Sequence, residues 1–557
     1  MRSILTVAAL LTAALGQPCA NAAQPVRARH AMVVTREPHA TDAGVAALRA
    51  GGNAVDAAVA VGFALAVTHP AAGNIGGGGF MLIRFADGRT TFVDFRERAP
   101  QKASRDMYLG PGGTLVKDKE VGYRAAGVPG TVRGLDLAHR KYGSKPWRSL
   151  VTPAVRLARD GFPVSWGLAQ SLRGTSVLGQ FPESRRIFQK SGKYYEPGEI
   201  FRQPELAATL ERIARLGAAD FYKGETARRL ASAMASHGGL ISLKDLKDYA
   251  AVERTPLRGS YRGYEILTAP PPSSGGVGIL QMMGVLEGTG YEKSGAGSAD
   301  SIHFVAEAMR RYFAARNTYL ADPDFVRVPV AGLLDKRYIA KVRGSIDPQR
   351  ATPSADVSAL DPVGYESSDT THYSIVDAAG NAVSVTYTVN GGYGCGVTVP
   401  GLGFLLNNEM DDFSTKPGAA NAAGLVQGEA NAIQPGKRPL SSMTPTIVLR
   451  DGRLYMVAGS PGSGRIINTV LQVLLNVIDF GMNLQDAVDW PRFHHQWKPD
   501  KLFVERGISP DTLALLRARG HTIETVRGIG EAAAILSDGG WLQGAADSRM
   551  EGKANGY

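Results

Sequence analysis

Cysteine is nearly absent: Cys19 and Cys395 are the two in 557 residues. Cys19 falls in a segment expected to leave the chain, so Cys395 has no internal partner. No disulfide framework is available, and Cys395, in Tyr393-Gly394-Cys395-Gly396, is expected as a buried, inert thiol. Long apolar runs are missing as well. Past residue 22 nothing approaches 18 uninterrupted apolar residues, so no membrane span is expected. Lysine and arginine outnumber the acids, for a formal charge of +11, but they are scattered. Without a basic stripe interleaved with aromatics, a nucleic-acid partner is excluded, and the surplus is a solvated basic exterior that can favour anionic ligands.

Several reactive signatures are missing too. The glycine run of residues 73–79 lacks the Lys-Ser/Thr ending of a phosphate loop and the strand-before-helix setting of a dinucleotide loop, so no nucleotide cofactor is expected. There is no His-Glu-x-x-His, no paired Cys-x-x-Cys and no Gly-x-Ser-x-Gly elbow. His494 and His495 are adjacent and would point to opposite faces of a strand, so no metal is expected there. In Leu405 to Asp412 three carboxylates crowd together, but not in the spacing of a calcium loop.

What is present is a large globular chain, 44% hydrophobic and 20% charged, which excludes disorder. Met1-Arg2, an apolar run to Leu15 and Ala20-Asn21-Ala22 form a secretory signal peptide over residues 1–22. The mature protein is then expected from residue 23, in the periplasm or outside the cell. Residues 40–70 predict two helices, the first capped by Thr41 or Asp42 and ended by Gly51-Gly52, the second apolar nearly all round and therefore buried. The glycines that follow let backbones approach closely before a strand over residues 80–83. A strand over residues 91–95 ends in the charged cluster Arg96-Glu97-Arg98, which by itself is a surface ion pair. Residues 123–324 are mainly helical in pattern, with amphipathic segments at 150–160, 204–216 and 301–320, and residues 354–364 are expected as a mobile tail.

The most informative stretch is residues 366–390. Two runs alternate in strand period, and Asp377-Ala378-Ala379-Gly380-Asn381 between them is turn chemistry, so a β-hairpin is predicted. If Asp377 pairs with Asn381, Thr370 lies opposite Thr388, and Thr386, Thr388 and Asn390 form a polar stripe beside it. Alone, this is a half-solvated sheet. The polar lead-in Glu366-Ser367-Ser368-Asp369, running into Thr370-Thr371, instead suits a chain that cuts itself before Thr370. A freed threonine α-amine, with a pKa of about 7.7–8.0, can serve as base for its own hydroxyl.

The run YESSDTTHYSIVD around Thr370, NNEMDDF at residues 407–413 and KRPLSSMTPTIV at residues 437–448 resemble the γ-glutamyltranspeptidases, a family of N-terminal nucleophile hydrolases, and the resemblance extends over nearly all of the chain after residue 30. It implies a four-layer αββα sandwich shared by a large chain, 23–369, and a small chain, 370–557, cut from one precursor between Asp369 and Thr370. Thr370 is then the nucleophile, oriented by Thr388. Arg96 binds the substrate α-carboxylate with Ser441 and Ser442. Glu409 and Asp412 hold the α-ammonium with help from Asn390. Gly462 and Ser463 supply the oxyanion N–H groups, with serine standing where relatives have a second glycine. A lid loop is implied over residues 417–437, with Ala423 where several bacterial relatives carry tyrosine. No cofactor is implied; the partners are glutathione or other γ-glutamyl compounds and amino-acid or dipeptide acceptors. Two rival functions remain: a glutaryl-cephalosporin acylase of the same fold, and a secreted amino-acid-binding protein that has lost catalysis.

Overall fold

The computed structural model describes residues 23–357, 370–416, 418–419, 421–422, 424–425 and 427–557. The signal segment 1–22, Asp369, Ala423 and residues 358–364 of the expected tail lie outside them. Two seven-stranded antiparallel sheets face each other. In the first are β1 (Val26–Ala28), β6 (Leu257–Tyr261), β7 (Tyr264–Thr268), β10 (Thr446–Arg450), β11 (Arg453–Gly459), β12 (Ala533–Asp538) and β13 (Trp541–Ala546), in spatial order β1-β13-β12-β11-β10-β7-β6. In the second are β2 (Met32–Thr35), β3 (Gly78–Arg84), β4 (Thr90–Asp94), β5 (Val252–Arg254), β8 (Thr371–Val376), β9 (Ala382–Thr388) and β14 (Lys553–Gly556), in spatial order β14-β2-β8-β9-β3-β4-β5.

Strand alternation sorts the side chains of β8 and β9 into two layers. Tyr373, Ile375, Val383, Val385 and Tyr387 face the helices α1 (Pro38–Arg49), α2 (Ala54–Thr68), α3 (Trp147–Asp160) and α4 (Pro204–Leu216). The Tyr373 and Tyr387 hydroxyls donate to the Ala58 and Gly62 carbonyls of α2, each at 3.0 Å. His372, Ser374, Ser384 and Thr386 face the first sheet, where Ser374 reaches the Ala533 carbonyl and Ser384 that of Ala458. Behind the first sheet lie α5 (Gly275–Leu286), α6 (Ala299–Tyr319) and α7 (Arg465–Ile478). The architecture is the expected αββα sandwich.

The hairpin has the predicted register. Thr371 pairs with Tyr387 and Val376 with Ala382, and the Asp377 N–H donates to the Asn381 carbonyl. Glycine makes room for β9 beside β3: a Cβ on Gly77 would sit 2.0 Å from the Thr388 carbonyl, and one on Gly76 2.1 Å from that of Leu405. Helix α2 is buried along its whole length, as its composition predicts.

Three expectations change. Helix α1 begins earlier than expected and is capped by Glu37, whose carboxylate accepts from the His39 and Ala40 N–H groups. The Thr41 hydroxyl instead meets that of Thr35 at 2.9 Å, and Asp42 pairs with Lys553. Within residues 123–324, strands β5, β6 and β7 interrupt the helices. The two-residue turn Arg262-Gly263, both at positive φ, closes β6 on β7; glycine suits that conformation, but arginine is not the asparagine or aspartate that marks such a turn in sequence. Ser354, expected in a mobile tail, is buried: its N–H donates to Asp500 and its carbonyl accepts from the Trp497 indole at 2.9 Å.

Replacing Gly77 by alanine drives a methyl into the Thr388 carbonyl and is expected to destabilise the protein by about 3 kcal/mol in chemical denaturation. An unchanged denaturation midpoint would contradict this close approach.

Candidate active site

Thr370 stands one residue before β8 and is 4% exposed. It shares the parity of His372 and Ser374, so its side chain faces the first sheet. On the neighbouring strand Thr388 ends β9, its hydroxyl accepting the Asn390 N–H at 2.8 Å. Asn390 is left-handed, with φ 73°, a conformation asparagine tolerates, and its side chain donates to the Asn408 carbonyl. That bond joins the hairpin end to the acidic turn. Two residues into β8, His372 fills the space beside Gly459: a Cβ there would come within 2.2 Å of its ring. Burial lowers the His372 imidazole to about 3, so it is neutral, and it bonds the Thr386 and Ser374 hydroxyls.

Beyond Thr388 the ladder continues to Gly78, and past β4 the chain delivers Arg96. Arg96 is 1% exposed. Its guanidinium pairs with Glu409 and, at 2.5 Å, with Asp412, and donates to the Pro439 and Leu440 carbonyls. Asn407 fixes the acidic turn: its carbonyl oxygen accepts from the Glu409 and Gly127 N–H groups, while its amide donates to Gly76 and Gly127. Asp411 faces away, toward Lys119. Arg96 and the two carboxylates were expected to take opposite ends of a ligand. The structure pairs them with each other, because a buried guanidinium demands a counter-charge.

Ser441 and Ser442 follow directly on Leu440. The Ser441 hydroxyl accepts the Met443 N–H, and the Ser441 carbonyl accepts from Ser274. Ser442 accepts from Arg316 at 2.9 Å. Residues 269–276, expected as architecture, serve to hold this segment. Arg316 was not anticipated. It is buried in α6 and bonds Ser274, Asn317 and Ser442, and its helical setting gave no sign in sequence that it reaches this cluster. Glu97 was anticipated only as a surface partner. It is fully buried, 3.6 Å from the Arg96 guanidinium, and a Cβ on Gly78 would come within 2.7 Å of its carboxyl.

Three carboxylates, Glu97, Glu409 and Asp412, therefore surround one guanidinium. Burial pushes Glu97 up to about 7 against the pull of Arg96, and drives Glu409 well above the carboxylate range. Burial thus favours the protonated form at both positions, and the Arg96 guanidinium opposes it.

The Gly462 turn stands at the end of β11. Its Ser460 hydroxyl accepts the Glu531 N–H, and helix α7 opens at Arg465. Gly462 has φ 128° and Ser463 φ 51°. The first is a glycine conformation; the second costs a serine about 1–2 kcal/mol. Gly459 against His372 places this turn across from Thr370 at the same end of the sheets. Of the described residues in 417–437, where a lid was expected, Asn421 donates to Asp412 and Ala422 to Asp411. Cys395 is buried, and burial pushes its thiol up to about 12. His494 bonds Asn468 and Gln496, whereas His495 faces Asp500. Among the described residues no group of His, Cys, Asp and Glu is placed to hold a metal, and no helix is long and apolar enough to cross a membrane.

Facing antiparallel sheets between helical layers define an N-terminal nucleophile hydrolase fold. The cephalosporin acylase of Bacillus halodurans superposes with a TM-score of 0.86 at 28% identity, covering 98% of each chain. The family profile described as gamma-glutamyltranspeptidase matches residues 40–557. The glutathione hydrolase proenzyme of Escherichia coli K12 is 51% identical over 529 residues, covering 94% of this chain and 91% of its own. That of Pseudomonas sp. strain A14 is 50% identical over 536 residues, covering 95% and 93%. The chain belongs to the gamma-glutamyltranspeptidase family and is an enzyme of that class.

The carboxylate cluster predicts a pH dependence. Below its raised pKa Glu97 is neutral; above it the cluster of three carboxylates gains a negative charge, which favours a ligand's ammonium. The Kd of an α-amino acid such as glutamate, measured by calorimetry, should fall roughly tenfold from pH 6 to pH 8, one pK-unit of interaction. Glu97→Gln should flatten the profile. A flat profile in the unaltered enzyme would contradict the assignment.

Proposed function

We propose that the protein is a self-processing γ-glutamyltransferase and glutathione hydrolase whose nucleophile is Thr370. Cleavage between Asp369 and Thr370 yields a large chain, 23–369, and a small chain, 370–557, which together form one intertwined domain in the periplasm or outside the cell. The observation that carries the reading is the adjacency, through Thr388 and Gly78, of an inward-facing Thr370 and a buried site holding one guanidinium and three carboxylates. That site suits the zwitterionic end of a γ-glutamyl group. Its α-carboxylate takes the Arg96 fork together with Ser441 and Ser442, and its α-ammonium takes Glu409 and Asp412, with Asn390 alongside. Ligand binding then exchanges internal ion pairs for external ones, and the buried charges stay compensated throughout.

In the first step the Thr370 Oγ attacks the γ-carbonyl carbon. Its proton passes to the Thr370 α-amine, and Thr388 orients the pair. Negative charge forms on the carbonyl oxygen, toward the N–H groups of Gly462 and Ser463. The C–N bond then breaks and the α-amine returns the proton to the departing amine. In the second step water or an acceptor amine attacks the ester carbon and gives a proton to the Thr370 α-amine; the bond to Oγ then breaks and the α-amine returns that proton to Oγ. The chemistry needs no cofactor.

The similarity to a cephalosporin acylase supports a second reading, an amidase for glutaryl side chains. A glutaryl group has no ammonium, so Glu409 and Asp412 would give up Arg96 to its carboxylate, face an apolar methylene and gain no cation in exchange. A third reading, a catalytically silent amino-acid binder, predicts one uncut band near full mass on a denaturing gel.

Steady-state turnover of a γ-glutamyl anilide, with and without a dipeptide acceptor, tests the proposal. Thr370→Ala is expected to lower kcat by at least about 10⁴-fold and to leave the precursor uncut. The γ-glutamyl anilide should exceed the glutaryl anilide in kcat/KM by about 10²-fold or more, the effect of leaving buried charges unpaired. An active Thr370→Ala variant, or a preference for the glutaryl substrate, would overturn it.

A further inference from the structure

One cavity in the structure borders the Gly462 turn, and its arginines take no part in the mechanism above. It has a volume of about 450 Å³ and is lined by Arg36, Arg465, Arg527 and Arg549, with Glu531 as its acidic member, and Gly462 forms part of its wall. Arg36 pairs with Glu531 at 2.6 Å, and Arg549 turns toward Glu505 and Asp547. Arg465 donates to the Gly528 carbonyl, and Arg527 is exposed. Four guanidiniums against one carboxylate leave the walls positive, and the two acids behind Arg549 do not reverse that, since Arg492 also faces Asp547.

Position gives this charge its meaning. Arg36 directly follows β2, whose last pair is Thr35 with Tyr373, and continuing the ladder by one residue sets it opposite His372. Its side chain thus shares the inter-sheet face with Thr370, two residues along the neighbouring strand. Strand spacing and rise put the two Cα atoms about 8 Å apart. The spatial order β2-β8-β9-β3-β4 then sets the arginine cavity on one side of Thr370 and Arg96 with its carboxylates on the other. An amide whose acyl side is held at Arg96 and whose carbonyl lies at Thr370 must extend its amine side toward β2. Two peptide units span about 7 Å, enough to bring a terminal carboxylate among these guanidiniums.

We infer that the arginine-lined cavity binds the free carboxylate of the peptide on the amine side of the scissile bond. The inference rests on the Thr370 reading and extends it to the leaving group. Leaving and accepting amines pass through the same tetrahedral arrangement, so one subsite serves both. Arg36, held by Glu531, and Arg527 at the rim supply charge that a carboxylate engages and an amide does not.

The test compares glutathione with its C-terminal amide as donors for the mature enzyme, each at several concentrations. The expected kcat/KM favours the free acid by about tenfold or more. Arg36→Gln and Arg527→Glu should each shrink that ratio at least fivefold. Because acid and amide are compared within each variant, a general loss of activity cancels. Equal kcat/KM for the two donors in the unaltered enzyme overturns the inference, as does a ratio that both variants leave unchanged. A γ-glutamyl anilide run alongside separates the two levels. If it is not turned over, the Thr370 reading fails; if it is turned over while acid and amide stay equal, only the carboxylate subsite fails.

Discussion

Backbone pairing of β9 with β3, ending at Thr388 and Gly78, is the contact on which the rest of the site depends. On one side β9 carries the hairpin partner that holds Thr370. On the other, β3 leads to the strand that delivers Arg96 and Glu97. The ladder closes only because glycines occupy 76 to 79, where a Cβ would lie 2.0 to 2.5 Å from neighbouring atoms. Backbone contact at that distance leaves no room for adjustment, so the position of the candidate nucleophile relative to the buried charges is set by main chain rather than by side-chain rotamers. A site built this way is held more tightly than one assembled on loops.

The charges present the opposite problem. Arg96, Glu97 and Glu409 are almost entirely removed from water and Asp412 largely so, and an unpaired ion in that setting costs several kcal/mol. The protein answers with mutual pairing, carbonyl acceptors from Pro439 and Leu440, and carboxyl groups that burial makes easier to protonate. Such a cluster is ready for a zwitterion, which brings one charge of each sign and leaves the net balance unaltered. Asp411 shows the same economy one turn away, where burial raises it to about 6 and Lys119 opposes that shift.

Motif order and strand period in the sequence were enough for the hairpin, its register, the inward stripe of Thr386 and Thr388, and the full burial of α2. Those features are local, decided by side-chain alternation and by turn residues a few positions apart. Local signals also misled. Thr41 and Asp42 are good caps by residue type, yet Glu37 reaches the free N–H groups because Pro38 already starts the helix. Strands β5 to β7 were hidden by the helices around them, and Arg262-Gly263 lacks the asparagine or aspartate that usually announces such a turn. Arg96 was identified through the resemblance, while Glu97 beside it passed for a surface residue.

What the sequence determined by itself was therefore the secondary structure nearest Thr370 and the identity of the residues that could react. Which of them meet was decided only by the tertiary structure. Arg96 and Glu409 are separated by 313 residues, Arg316 and Ser442 by 126, and Arg36 joins Glu531 across almost the whole chain. Periodicity carries no information at such separations. These pairs exist because two sheets stack face to face and the strand order brings residues far apart in the chain to the same end of the sheets.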